Sequence, residues 1–270
     1  MAKTIFELKD IYFSYLNKIP ALCGVDLAIE EGSRVAVIGA NGTGKSTLLA
    51  MLDGLIFPDK GSLKAFGRGL DEEALNDTGF SHSFRKKVGF VFQNPEVQLF
   101  CPTVKEDIIF GPLHLGVPQA EIKNRLDKLA DDFKIGHLLG RSPHQLSIGE
   151  KKKVSLASVL AIQPEVLLLD EPTAGLDPQT TRDIVDILLT ENQGGKTIVT
   201  ATHDLHIVDE IASLVHVFGA QKKIIRSASP KDLLSDESFL MAHNLVHIHS
   251  HSHKDKLHIH LHQHLEHHHE

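Results

Sequence analysis

The sequence predicts an α/β protein with an antiparallel β edge, a helical subdomain and a histidine-rich C-terminal tail. Three observations carry that expectation. Strand and helix patterns alternate along most of the 270 residues, as a parallel sheet covered by helices requires. Two opening segments alternate apolar and polar residues, the pattern of strands with one wetted face. After about residue 240 the composition shifts abruptly toward histidine. The expected division is a main domain over 1–240, containing a helical subdomain at about 103–160, and a flexible tail over 241–270.

Taken in order, IFELKDIYFSYL and ALCGVDLAIEEG read as antiparallel strands, the second closing on a Glu-Gly turn. SRVAVIG is a compact β-branched run, and ANGTGKSTLLAMLDGL after it has helical apolar spacing. Residues 58–84, rich in Gly, Asp, Ser and His, predict turns around short strands, and KVGFVFQ a further strand. VKEDIIFGPLHLG and AEIKNRLDKLADDF predict two helices parted by Gly116 and Pro118. The loop RSPHQLS leads into a helix over GEKKKVSLASVLAI. VLLLD then reads as a fully buried strand, TTRDIVDILLTE as a helix and KTIVTATHD as another β-branched strand.

Charge and cysteine usage narrow the function. Acidic residues number 35 against 28 basic ones, a net charge of -7, with no basic stripe of the kind that nucleic acid needs. Cys23 and Cys101 stand apart among apolar neighbours, which favours incidental thiols in a reducing cytoplasm over a disulfide. No apolar run approaches the roughly 18 residues of a membrane span, and the first residues lack signal-peptide character. Any work at a membrane is expected to go through a partner.

GANGTGKST, Gly39 to Thr47, is a complete phosphate-binding pattern between a strand and a helix. Gly39, Gly42 and Gly44, with Asn41, let backbone N–H groups turn toward phosphates; Lys45 reaches the β and γ phosphates, and Ser46, followed by Thr47, is placed for Mg²⁺. A glycine turn without ligand is the bland alternative. VLLLDEPTAGLD supplies a partner: its strand delivers Asp170 to hold the metal of Mg-ATP, and Glu171, one residue on, to orient or deprotonate the attacking water. Gln93, after VGFVF, offers an amide to Mg²⁺ and the lytic water, although an amide there is more often just solvated. His203 closes KTIVTATH, where it is either a γ-phosphate donor or a structural histidine.

With LSIGEKKKVSLASVLAIQPEVLLLDEPTAGLDP, residues 146–178, added to these motifs, the chain resembles the ATP-binding subunits of ABC transporters over roughly residues 4–235. The resemblance implies a P-loop ABC-ATPase core in which two copies face head to tail, as homodimer or heterodimer. It also implies that Ser147 and Gly149 contact the partner's γ phosphate, that Asp177 crosses the interface, and that Tyr15 stacks on adenine. The signature here is LSIGE where the family usually has LSGGQ. Ile148 restricts the backbone, and a carboxylate at Glu150 repels phosphate if it faces it.

Residues 93–117 look most like the energy-coupling-factor importers, closest to those for cobalt and nickel. That likeness implies an integral membrane coupling protein, a substrate-specific membrane component and a place on the cytoplasmic face of the membrane. Val97, Leu99 and Phe100 are expected either to contact the coupling helices or to pack in the core.

Twelve of the 19 histidines fall between residues 243 and 270: His243, His247, His249, His251, His253, His258, His260, His262, His264, His267, His268 and His269. Imidazoles at alternate positions suit Ni²⁺, Co²⁺ or Zn²⁺; a low-complexity polar tail or an expression tag are the alternatives. The combined expectation is an ATPase powering import of nickel or cobalt. Its rivals are a vitamin importer ATPase and a soluble P-loop nickel-insertion chaperone, the second of which would lack the signature at 146–150.

Overall fold

The computed structural model describes residues 3–253 and 256–262. β1 (Thr4–Tyr15) and β2 (Ile19–Glu30) pair antiparallel, as their alternation predicts, and lead to β3 (Arg34–Ile38), the glycine loop and α1 (Lys45–Leu52). β4 (Lys60–Ala65) and β5 (Arg68–Gly69) complete an antiparallel sheet of order β2-β1-β4-β5.

Two helices follow, α2 (Glu72–Asn76) and α3 (Thr78–Lys87), where turns around short strands are expected. Asp71 and Asp77 cap them, each accepting backbone N–H bonds, and the Phe84 side chain anchors α3 in the core at 1% exposure. The expectation for 58–84 is therefore corrected over its second half. Side-chain caps convert a polar stretch into helix once one aromatic face has somewhere to bury.

β6 (Val88–Val91) ends two residues before Gln93. The helical subdomain comprises α4 (Val104–His114), α5 (Gln119–Asp132) and α6 (Ile148–Leu160). A capping box opens α4, in which Thr103 and Glu106 satisfy each other's backbone N–H groups. β7 (Val166–Asp170), α7 (Pro178–Gln193), β8 (Thr197–Thr202), α8 (Leu205–Ile211), β9 (Leu214–Phe218), β10 (Ile224–Ala228), α9 (Pro230–Leu234) and α10 (Glu237–Ala242) complete the packed domain.

The main sheet runs β10-β9-β3-β8-β7-β6. β9, β3, β8, β7 and β6 pair parallel, and β10 closes the edge antiparallel to β9. Every residue of β7 is buried, which explains the unbroken VLLLD.

One core cluster fills the space between the antiparallel sheet, α1 and the main sheet. A second joins Val104, Ile108, Leu126 and Val154 of the subdomain to Leu167 and Leu169 of β7, so the subdomain has no core of its own. A third includes Leu240, Leu245 and Val246, and the packed domain thus reaches Val246 rather than stopping at residue 240. Beyond it, β11 (His247–His253) and β12 (Lys256–His262) pair antiparallel. His264, His267, His268 and His269 lie outside the described residues.

Candidate functional site

The parallel strands β3, β7 and β8 all end at one rim, and the loops that leave them build the site. Tyr15, Asn41, Gly42, Gly44, Lys45 and Gln93 are among the residues lining a cleft of about 400 Å³, together with Ser46, Thr47 and Glu171. Lys45 is 7% exposed, and its amine donates to the carbonyls of Gly39 at 2.8 Å and Ala40 at 3.3 Å. Burial holds that amine below its ordinary range, against the pull of the Glu171 and Asp170 carboxylates. The glycine loop is thus folded around its own lysine. The Tyr15 hydroxyl lies 3.2 Å from Thr47 Oγ1, and its ring packs edge-on against Phe13 at the mouth of the cleft.

Asp170 ends β7 at 6% exposure, and burial raises its carboxyl above the usual range, opposed by a hydrogen bond from Ser46. Its Oδ1 is buried with no hydrogen-bond partner. A buried unpaired carboxylate oxygen is costly. Beside a serine hydroxyl it makes a hard oxygen donor set that fits Mg²⁺. Among the described residues there is no cluster of three or more His, Cys, Asp or Glu side chains arranged for a transition metal.

Glu171 leaves the strand at φ 46°, a left-handed conformation uncommon outside glycine. Its carboxylate is held on three sides. Oε2 accepts from Thr202 Oγ1 at 3.1 Å and from His203 N–H at 3.4 Å, and Oε1 lies 2.8 Å from His203 Nδ1. The Glu171 hydrogen bond raises the His203 imidazole above its ordinary range, opposed by burial. His203 is therefore engaged with Glu171. Sequence reasoning placed the two residues in separate roles; the β7–β8 register, Asp170 opposite Ala201, brings them together.

Other partners escaped the sequence reading. The Lys222 amine donates to the Gly42 carbonyl of the glycine loop, and the Lys152 amine donates to the Glu171 carbonyl at 2.8 Å. Neither lies in a recognisable motif, and Lys152 stands inside a KKK run that reads as a solvated face.

Ser147, Gly149 and Asp177 do not line the cleft. They meet on another face, where a Cβ on Gly149 would sit 3.3 Å from Thr180 Cγ2, and Asp177 caps α7 through Thr180 N at 2.9 Å. Glu150 is turned back from that face: its carboxylate accepts from Ser147 N at 2.8 Å and Ser147 Oγ at 2.9 Å. Those bonds lower its carboxyl from the usual range. The expected repulsion between Glu150 and a phosphate gives way to a capping box at the start of α6. Ile148 is 50% exposed on the same turn.

A sequence model described as "ABC transporter" matches residues 22–174. The chain belongs to the ABC transporter family. It is 51% identical over 228 residues to the nickel import ATP-binding protein NikO of Rhodobacter capsulatus, covering 83% of this chain and 89% of that protein. Over 244 residues it is 40% identical to the energy-coupling factor transporter ATP-binding protein EcfA of Methanothermobacter thermautotrophicus, covering 89% of this chain and 76% of that one. The fold matches cbiO1 of Clostridium perfringens, part of the ABC transporter complex cbiONQ, at TM-score 0.76 and 34% identity, over 90% of this chain and 95% of that one. The chain is an ATP-binding and ATP-hydrolysing transporter subunit related to the energy-coupling-factor and nickel/cobalt import ATPases.

Proposed function

We propose that this chain powers import of a transition-metal cation, nickel or cobalt, by hydrolysing ATP against a membrane transporter. The observation that carries the ATPase reading is the convergence of Lys45 and Glu171 on one cleft, with the Asp170 carboxylate near enough to act on the Lys45 amine. The metal reading draws on the nickel-import relative and on the tail, where the backbone register sets His247 opposite His262, His249 opposite His260 and His251 opposite His258. Histidine recurring at alternate positions of both strands is a composition suited to Ni²⁺ or Co²⁺. His243 stands apart from that series: its ring packs on Phe239 at 4.4 Å, within the packed domain.

In the proposed cycle Tyr15 holds the adenine and the glycine loop, Gly39 to Thr47, wraps the phosphates with its N–H groups. Lys45 transfers its donors from the Gly39 and Ala40 carbonyls to the β and γ phosphates. When bound, Mg²⁺ on Ser46, Asp170 and Gln93 neutralises charge on the phosphate oxygens. Glu171, already oriented by Thr202 and His203, holds the attacking water and takes its proton.

Ser147 and Gly149 lie off this chain's own cleft at an exposed helix N-terminus, which supports a second copy or a related subunit closing over the γ phosphate, with Asp177 in the contact. Val97 at 65%, Phe100 at 64%, Phe110 at 38% and Leu113 at 48% exposure offer an apolar docking face for a membrane coupling protein. Leu99, at 4%, is core and leaves that face. No helix among the described residues is long and apolar enough to cross a membrane. The reading is therefore of a peripheral subunit at the cytoplasmic face, with an integral coupling protein and a substrate-specific component beside it. The division into a packed domain and a metal-binding tail belongs to the same proposal.

The test is affinity isolation of the full chain from gently solubilised membranes, with uptake of radioactive nickel and cobalt in the same cells. Recovery of a membrane coupling protein and loss of metal uptake on deletion support the proposal. Recovery of a vitamin-binding component with metal uptake intact moves the cargo to a vitamin. A soluble nickel enzyme with no membrane partner overturns transport.

A further inference from the structure

Lys151, Lys152 and Lys153 are consecutive on α6 but have different surroundings. Lys151 pairs with Glu96 at 2.5 Å and Lys153 with Asp183 at 2.6 Å. Lys152, between them, is 3% exposed and donates to a backbone carbonyl, that of Glu171, at 2.8 Å. A buried ammonium is expensive to keep, and an apolar side chain of the same length would fill the space at less cost. Burial lowers the Lys152 amine to about 8, while the nearby Glu171 and Asp170 carboxylates favour its charge.

Its acceptor is in an unusual place. Glu171 sits at φ 46°, and its carbonyl receives the Ala174 backbone N–H at 3.3 Å. The ψ angle of Glu171 relates that carbonyl to the Cα–Cβ bond, so a donor gripping the carbonyl fixes where the side chain starts, and Thr202 and His203 hold its far end.

The same helix begins at Ser147, five positions before Lys152, with its N-terminal turn exposed. Five residues of α-helix span about 7.5 Å of rigid rod. We propose that Lys152 is a positioning residue that ties the helix presenting Ser147 to a second copy's nucleotide to the backbone of this copy's lytic glutamate. Seating of α6 against the partner's ATP then sets Glu171 in this copy's own site, and the two ATP sites are coupled through one hydrogen bond. The inference rests on the proposed role of Glu171 and adds a link to it.

The test uses the full chain with K152M, which keeps an apolar stem and removes the donor, and K152Q, which keeps a neutral donor; both side chains are one atom shorter than lysine. Displacing a catalytic group by an ångström costs about 100-fold in rate. K152M is expected to lower kcat by about 10- to 100-fold. Its KM for ATP stays within about twofold of wild type, because Lys45 and the glycine loop are untouched. K152Q restores kcat to within about threefold, and turnover is cooperative in ATP for wild type and K152Q but hyperbolic for K152M.

An unchanged kcat in K152M, an effect confined to KM, equal damage in both variants, or wild-type turnover without cooperativity each overturns the proposal. If K152M does not fold, K152Q decides alone: a large kcat fall with a donor still present overturns it, and near-wild-type cooperative turnover supports it. E171Q is run beside them. If E171Q keeps turnover the glutamate's role fails, whereas loss in E171Q with wild-type kcat in K152M isolates the failure to Lys152.

Discussion

Replacing Gly44 with alanine puts the proposed phosphate loop to a quantitative test. Gly44 precedes α1 at φ 110°, and an added Cβ would lie 2.3 Å from the Ala21 carbonyl oxygen and 3.2 Å from Leu22 Cδ2. Real Cβ contacts do not fall below 3.0 Å, so something must move by at least 0.7 Å, the difference of the two distances. Ala21 belongs to β2 and cannot retreat cheaply, so the loop moves, carrying Lys45 with it. Holding a non-glycine residue in such a conformation costs about 1–3 kcal/mol. With the clash added, a loss of about 2–3 kcal/mol in ATP affinity is expected, or about 30- to 150-fold in Kd.

Gly42 is the internal control. Its φ is 74°, but a Cβ there meets nothing within 4 Å. Only conformational strain applies, about 1 kcal/mol, or about fivefold in Kd. Equilibrium titration with a fluorescent ATP analogue measures both variants, with thermal melting to confirm folding. A G44A affinity within twofold of wild type, or equal losses for G44A and G42A, refutes the close approach of β2 to the loop as the reason for glycine.

Three further outcomes follow from packing and charge. Burial pushes the Asp53 carboxyl up from 3.8 to about 7 despite the Arg85 guanidinium at 3.2 Å. The folded state therefore holds a proton that the unfolded state releases, and this contribution is full below pH 3.8 and lost as pH rises through about 7. D53N should flatten the stability profile between these values, read by urea midpoints across the window; an unchanged slope contradicts it. Truncation after Leu240 removes Leu245 and Val246 from the third core cluster and should cost about 3 kcal/mol, whereas truncation after Val246 should leave the melting temperature unchanged. E150A breaks the capping box on Ser147 and should cost about 1 kcal/mol in stability without changing ATP affinity of the single chain; a loss of that affinity would place Glu150 at the nucleotide instead.

The parallel strands were legible because burial on both faces leaves runs such as VLLLD with no polar position to hide them. The helices α2 and α3 were not. Their sequence is polar apart from two phenylalanines and an alanine-leucine pair, and only Asp71 and Asp77, acting as caps, tip it into helix. Leu99 and Phe100 are neighbours of equal apolarity, yet one is 4% and the other 64% exposed, a difference that depends on packing against the subdomain.

The site shows the same division. Lys45, Ser46 and Asp170 were readable because each lies in a contiguous motif on one loop or strand end. The His203–Glu171 contact required strand order, since β7 and β8 are separated by all of α7. Lys152 required the third dimension: nothing in KKK distinguishes the lysine that turns inward. Glu150, read in isolation as a charge facing phosphate, satisfies the backbone of its own helix start.

The proposed cycle turns on a composite site closed by ATP and opened by water activated at Glu171. The most direct measurement is sedimentation of E171Q with Mg-ATP and with Mg-ADP, alongside its ATP turnover. The account predicts an assembly of twice the chain mass in ATP, a single chain in ADP, and turnover reduced by at least about 100-fold. A single chain in both nucleotides, or turnover equal to wild type, would contradict it.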